Sequence, residues 1–289
     1  MKVLYIFNIT PIMESLTHPQ HLVRTFCVLD DLSVMLFGKQ TRGRPNSLSR
    51  SEVATIILMK TAFGINCLKK LYLMLKVNYA TEFHLPSYKN FVITINKYSL
   101  DFLMLINALL QMNKEKSGVI KIVDSTALPV CKNMRIYAHK TMKRIATRSK
   151  TTTGWFYGLK LHVVTDLDKN MLFLKFTTAT TDDRKVLDEF LDQLNNSIMI
   201  ADAGYISSTL QNKAIKQNNV ILTGMRKNMK KLATNFQLFL LNMRGRIESV
   251  FSVLKERLGL ITSLPRSENG YLAHYSRVLF GYLFQKLIS

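Results

Sequence analysis

Three acidic residues have the types and spacing to do chemistry. Asp124 stands at the tip of the apolar run Val119-Ile120-Lys121-Ile122-Val123, and Asp202 ends the run Ile198-Met199-Ile200-Ala201 just before Gly204. Glu248 lies on a helical segment between Arg244 and Lys255. Two acids at strand ends and one on a helix can converge on a small site that holds two divalent cations. Such a site activates water or a hydroxyl against a phosphodiester. The chain carries 40 Lys and Arg against 19 Asp and Glu, a net charge of +21, so the polyanion that fits it is nucleic acid.

Singly, each acid has an ordinary alternative. A carboxylate at a strand end is often a turn residue or a helix cap, and this applies to Asp124 and to Asp202 before Ala203-Gly204-Tyr205. Glu248 could be a solvated helix charge paired with Arg244 four residues earlier. Together the three ordinary readings lose ground, because tips of buried strands seldom carry acids without a metal or a base to satisfy them. On the helix, Arg244, Glu248 and Lys255 fall on one face, with Ile247, Phe251, Leu254 and Leu258 along the opposite, core-facing side. A carboxylate flanked by two cations suits a metal ligand whose neighbours hold phosphates.

From Ser125 to Thr165 there is no acidic residue and there are eight cations: Lys132, Arg135, Lys140, Lys143, Arg144, Arg148, Lys150 and Lys160. A charge run is usually a solvated face. Placed directly after Asp124, it reads better as a loop that grips a DNA backbone, setting affinity and salt dependence without reading sequence. His139 in this loop is expected to bind phosphate or pack. Trp155 could stack on an unpaired base, but the more ordinary role is a hydrophobic anchor at a strand start.

The elements that must position these residues change character along the chain. Residues 1–115 read as mainly helical, a DNA-binding region or a bundle packing on its neighbour. Ser49-x-x-Glu52 is a capping box opening a helix from Val53 to Phe63 with Gly64 as its stop, and a periodic stretch follows from Leu68 to Val77. Ser87 begins a segment reaching towards Leu110, interrupted near Ser99. Arg42-Gly43-Arg44-Pro45, a short basic arm, precedes the capping box. Residues 116–289 read as α/β. A buried strand at 119–124 precedes a hairpin of Tyr157–Val164 with Met171–Thr177, then a helix capped by Thr181. The strand ending at Asp202, a helix near Ser207–Lys216, the strand Val220–Thr223 and a long helix across Glu248 complete it. That order is the one of a ribonuclease-H-like mixed sheet with covering helices.

Composition excludes several classes. Cys27, Cys67 and Cys131 are odd in number and scattered, and the six His show no paired metal-ligand spacing, so a disulfide framework and a zinc site are not expected. No apolar run approaches the roughly 18 residues of a membrane span, and Met1–Ile12 reads poorly as a signal peptide. A cytoplasmic, nucleoid-associated protein is expected, with no membrane partner.

The pattern resembles the DDE transposases of bacterial insertion sequences, most closely the insertion-sequence nine-eighty-two family. The matching stretches are Asp124-Ser125 with Val130-Cys131-Lys132 and Arg135-Ile136, Gly154-Trp155-Phe156-Tyr157-Gly158-Leu159-Lys160-Leu161-His162, and Asp182-Asp183-Arg184. Asp202-Ala203-Gly204-Tyr205-Ile206-Ser207, Arg226-Lys227-Asn228-Met229-Lys230, and Arg244-x-x-x-Glu248 with Lys255 and Arg266 follow. The sequence departs from related transposases at Leu241, where Tyr is common, and at Ala203, where Lys is common. The resemblance implies a ribonuclease-H-like core in which Asp124, Asp202 and Glu248 hold two Mg²⁺ ions, with Mn²⁺ as a substitute. It implies cleavage at the element's end, then attack of the freed 3′-hydroxyl on target DNA. The expected DNA contacts are Lys132, Arg135, Lys140, Lys143, Arg144, Lys150, Lys160, Arg226, Lys227, Arg244, Lys255 and Arg266. The partners implied are double-stranded DNA, as terminal inverted repeats and target, and further copies of the chain assembled on it. A ribonuclease-H-like nuclease or resolvase without strand transfer, or a decayed DNA-binding copy, stays open as an alternative.

Overall fold

The computed structural model describes residues 19–38, 47–152, 154–224 and 234–288. The basic arm Arg42–Pro45, the N-terminal Met1–Ile12, and Arg226 and Lys227 of the expected DNA contacts lie outside the described residues. The chain divides into two compact units. One takes residues 1–109, 256–260 and 269–289, and the other takes 110–255 and 261–268. The sequence boundary at 115/116 differs from this division at the C-terminus, because the last helix belongs with the N-terminal helices.

The first unit is helical: α1 (Pro19–Phe37), α2 (Arg50–Ala62), α3 (Leu68–Asn78), α4 (Tyr88–Tyr98), the first half of α5 (Asp101–Lys116), and α10 (Glu268–Ile288). The capping box forms as the sequence implies: the Glu52 backbone N–H donates to Ser49 Oγ at 3.1 Å, and the Ser49 N–H donates to Glu52 Oε2 at 2.6 Å. Residues 53–61 of α2 are buried all round, so it is the central helix of this unit. The break near Ser99 is real, separating α4 from α5. Its Ser99 carbonyl accepts from Ser276 Oγ of α10 at 2.7 Å, and Phe280 stacks on Phe102 with ring centroids 4.7 Å apart. These contacts explain why α10 joins this unit. Among the described residues no single helix is long and apolar enough to cross a membrane.

The second unit is built on a mixed six-stranded sheet. Its strands are β1 (Ile120–Cys131), β2 (Thr147–Thr151), β3 (Gly154–Asp166), β4 (Met171–Thr178), β5 (Ile198–Ala201) and β6 (Val220–Thr223). The order is β2-β3-β1-β5-β6, with β4 also pairing with β3. On one side β1 pairs antiparallel with β3; on the other it pairs parallel with β5, which pairs parallel with β6. The parallel connections run through α6 (Asp183–Leu191) and α7 (Ser208–Lys216), as βαβ crossovers require. Both helices are capped from the sequence, α6 by Asp182, one residue after the expected Thr181, and α7 by Ser207. β1 and β3 extend beyond their apolar cores to 12 and 13 residues. Their crossing is tight at Gly158, where a Cβ would stand 2.0 Å from the Leu128 carbonyl oxygen, so only glycine fits.

Val123, Val164, Leu187, Phe190, Met199 and Leu210 belong to one buried cluster, which packs the sheet against α6 and α7. Side chains alternate along a strand, so Asp124 belongs to the opposite face. There α9 (Gly245–Ser252) rests against β1 and α8 (Asn235–Asn242) against β5 and β6. The long helix expected across Glu248 is interrupted: after Ser252 the chain makes a π-helical turn over Val253–Arg257. That turn shifts the helical phase, so Lys255 does not continue the Arg244–Glu248 face in the simple register that 3.6-residue counting assumes.

Candidate active site

Strand register brings Asp124 and Asp202 together. Ile120, Lys121 and Ile122 pair with Ile198, Met199 and Ile200 in the parallel ladder between β1 and β5. Continuing this register two residues past Ile200 sets Asp202 level with Asp124, on strands about 4.8 Å apart and on the same face. Each carboxylate accepts a hydrogen bond from the backbone N–H that follows it, Ser125 to Asp124 at 2.7 Å and Ala203 to Asp202 at 2.8 Å. Asp202 caps the short 3₁₀ turn Ala203–Tyr205, so it also fills the turn role that its sequence allowed.

Asp124 has a strongly perturbed carboxyl. Burial pushes its carboxyl up to about 6; the Ser125 N–H and the Arg244 cation oppose this, and Asp202 and Asp183 add repulsion. The sequence placed Asp124 at the tip of a strand over 119–124, but β1 continues to Cys131, so Asp124 stands inside the strand, opposite Val163 of β3. Glu248 is placed differently. Its helix covers the Asp124 face, but its side chain is 60% exposed and pairs with Arg244 Nη2 at 3.3 Å across one helical turn. Among the described residues no three His, Cys, Asp or Glu side chains stand close enough to hold a metal ion. The donor set suits a hard divalent cation in kind, since all its atoms are carboxylate oxygens. Asp124 and Asp202 lie near each other, while Glu248 is paired with Arg244.

Behind Asp124 lies a polar cluster that the sequence reading did not assign. Lys160 donates to Asp183 Oδ1 at 2.9 Å and to the Thr181 carbonyl at 3.1 Å. His162 is buried, with Nδ1 at 3.6 Å from the same Asp183 oxygen and Nε2 at 2.8 Å from Thr177 Oγ1. Burial pulls this imidazole down to about 4 against the pull of Asp183, so it is neutral at physiological pH. The Tyr205 hydroxyl is buried near Ser125, Asp124 and Asp183 without a well-formed hydrogen bond, and burial with that negative surrounding pushes its pKa upward. Asp183 and Tyr205 were legible only as members of the stretches Asp182-Asp183-Arg184 and Asp202–Ser207. Nothing in their spacing marked them as neighbours of Asp124.

The expected DNA contacts separate into two groups. Lys132, Arg135, Lys140, Lys143, Arg144, Lys150 and Arg266 are exposed, as is Arg148 beside them. Lys160 departs from expectation: its ammonium is engaged by Asp183 and Thr181 and is half-buried, because it points into the sheet's polar interior instead of the loop surface. Arg244 serves the acids directly, and Lys255 lies in the π-helical turn. Trp155, expected as a hydrophobic anchor, is instead 51% exposed.

No curated protein matches this chain. Among solved structures it is similar to the piggyBac transposase synaptic complex with hairpin DNA. The TM-score is 0.52 at 11% identity, over 99% of this chain and 74% of that one. It also aligns with the Mos1 transposase paired-end complex with left transposon end, at a TM-score of 0.24 and 14% identity, covering 93% of this chain and 94% of that one. The likeness to piggyBac transposase is one of fold, and the fold is ribonuclease-H-like. The family profile described as Transposase DDE domain matches residues 114–267, which span Asp124, Asp202, Glu248 and the polar cluster between them. That match takes in more than half of the sequence, and the chain belongs to the transposase DDE-domain family.

Proposed function

We propose that this protein cleaves DNA at the ends of an insertion sequence, of the nine-eighty-two type, and joins the freed ends to target DNA. In this reading Asp124, Asp202 and Glu248 hold Mg²⁺ or Mn²⁺. The observation that carries it is the register of β1 with β5, which sets two acids side by side on one sheet face, one of them buried enough to be raised to about 6. Bound there, divalent cations would lower the pKa of the attacking water or hydroxyl and stabilise the leaving oxygen.

The chain's own residues have distinct tasks. Asp124 supplies its oxygens from within β1 and Asp202 from the residue after β5. Arg244 balances charge at Asp124 and Glu248, and Glu248 would complete the carboxylate set for any cations held there. The exposed cations Lys132, Arg135, Lys140, Lys143, Arg144 and Lys150 hold the phosphate backbone of double-stranded DNA, joined by Arg226, Lys227, Lys255 and Arg266. Asp183 and Lys160 keep the floor of the site in place, and neutral His162 adds no charge beneath the acids. The protein works on nucleoid DNA in the cytoplasm as an assembly of several copies.

Incubating the protein with labelled terminal-repeat DNA, plasmid and Mg²⁺ tests the reading. Nicking at the element end followed by covalent joining of label to plasmid is expected. Nicking without joining would make the protein a hydrolytic nuclease, and binding without nicking would make it a decayed copy.

A further inference from the structure

We infer that the groove at the far end of β1 is a binding site for an unpaired nucleobase, with Trp155 as its stacking platform. This rests on the DNA reading above and extends it to a site away from the acids. The groove encloses about 560 Å³ between the end of β1, the start of β3 and the segment Ile261–Leu264. Its lining combines Trp155 and Phe156 with Lys132, Asn133, Thr262 and Ser263. That is the chemistry a base requires: a flat π surface, nearby hydroxyls and an amide for its edge, and a cation for the adjoining phosphate.

Trp155 is built for this and poorly built for anchoring the fold. Asn133 Nδ2 donates to the Trp155 carbonyl at 2.6 Å, fixing the backbone beneath the ring, and half of the residue is exposed. The Arg148 guanidinium lies over the indole at 4.7 Å from its centroid and the Lys150 ammonium at 5.9 Å. Cations so placed bring positive charge to the ring and draw the backbone of a strand towards it. Cys131 lies seven residues along β1 from Asp124, which puts the groove on the order of 20 Å from the acids. A duplex would have to be opened to reach it, so the occupant is a base in a single-stranded stretch.

Trp155 is the chain's one tryptophan, so its fluorescence reports on this groove alone. The full-length protein is titrated with three DNAs in moderate salt: a blunt duplex, the same duplex with a short single-stranded extension, and that duplex with an abasic extension carrying the same phosphates. Quenching specific to the base-bearing extension is expected, with affinity about tenfold above the abasic one. Trp155→Ala should lose that gain while binding blunt duplex as the wild type does, and Trp155→Phe should keep most of it. Equal quenching and affinity for the abasic and base-bearing extensions would overturn the site while leaving DNA binding intact. Failure to bind any of the three DNAs at low salt would overturn the DNA reading, and this inference with it.

Discussion

Arg244 pairs with Glu248 at 3.3 Å and at the same time lies close enough to Asp124 to draw its carboxyl downward. One guanidinium therefore acts on two acids on different elements, a helix and a strand. Glu248→Gln keeps the side chain's size and removes its charge, so Mg²⁺-dependent nicking at saturating DNA should fall by on the order of 10²–10³-fold while end-DNA binding persists. Normal nicking by this variant would remove Glu248 from the site, and Glu256 would be the next acid to test.

Asp124 makes stability depend on pH. Its folded pKa is raised from 3.8 to about 6, so the contribution it makes is fully present below 3.8 and lost as pH rises through 6. Asp124→Asn should therefore stabilise the protein above pH 6, by at most about 3 kcal/mol, and flatten its stability profile between pH 4 and 6. Urea denaturation across that range reads both effects. Added Mg²⁺ should raise the melting temperature of the wild type and not of Asp124→Asn.

Asp183 joins Lys160 and His162 from the start of α6. Asp183→Asn would leave a half-buried ammonium short of its counter-charge, at a cost of about 2 kcal/mol. It would also remove repulsion from Asp124 and lower that acid's titration midpoint. A denaturation midpoint unchanged from wild type would show that Asp183 bears no structural load.

In the proposed function the exposed loop cations act on affinity and not on chemistry. Replacing Lys140, Lys143 and Arg144 with Gln should weaken duplex binding and reduce the salt slope by about 0.9 for each lost phosphate contact. Nicking at saturating DNA should remain near normal. Gel-shift titrations across a salt series separate the two effects, and an unchanged slope would place these three cations off the DNA.

In the helical unit, Lys60 is buried beside Arg277, and the burial together with that neighbouring cation pulls its ammonium down to about 8. The stability tied to this group is present above pH 10.5 and lost as pH falls through 8, so the charged lysine is a burden at neutral pH. Lys60→Met should stabilise the protein at pH 7 by about 1–3 kcal/mol, measured by chemical denaturation. A destabilised variant would show that Lys60 has an anionic or dipolar partner of real worth.

The parts of the fold that were readable from sequence are those where one local rule acts alone. The Ser49–Glu52 box, the helix near Ser207–Lys216, the apolar strands and the alternation from Tyr157 to Val164 each announce themselves within a few residues. Asp124 and Asp202 were legible because each follows an apolar run, although β1 carries on past Asp124 to Cys131 and only Asp202 follows the end of its strand. The position of α10 was not, since its partners Ser99 and Phe102 lie more than a hundred residues away. The π-helical turn after Ser252 was also hidden, because its apolar residues still satisfy a helical pattern. Lys160 looked like one more loop cation, and only the antiparallel pairing that buries β3 turns it inward to Asp183.

The return of the last helix gives the molecule an unusual topology of cuts. The sheet-bearing unit is an insertion within the helical one, entered at Leu110 and left at Glu268, with a brief detour at 256–260. A single proteolytic nick near residue 115 would therefore not release two folded halves. It would strand α10, which buries Tyr271, Tyr275, Phe280 and Phe284 and holds Ser99 and Phe102 of the other fragment through Ser276 and Phe280, and the severed pieces should stay associated or precipitate together. A circular permutant that joins α10 ahead of α1 and opens the chain near residue 110 would bring all of the helical unit except 256–260 onto one continuous stretch.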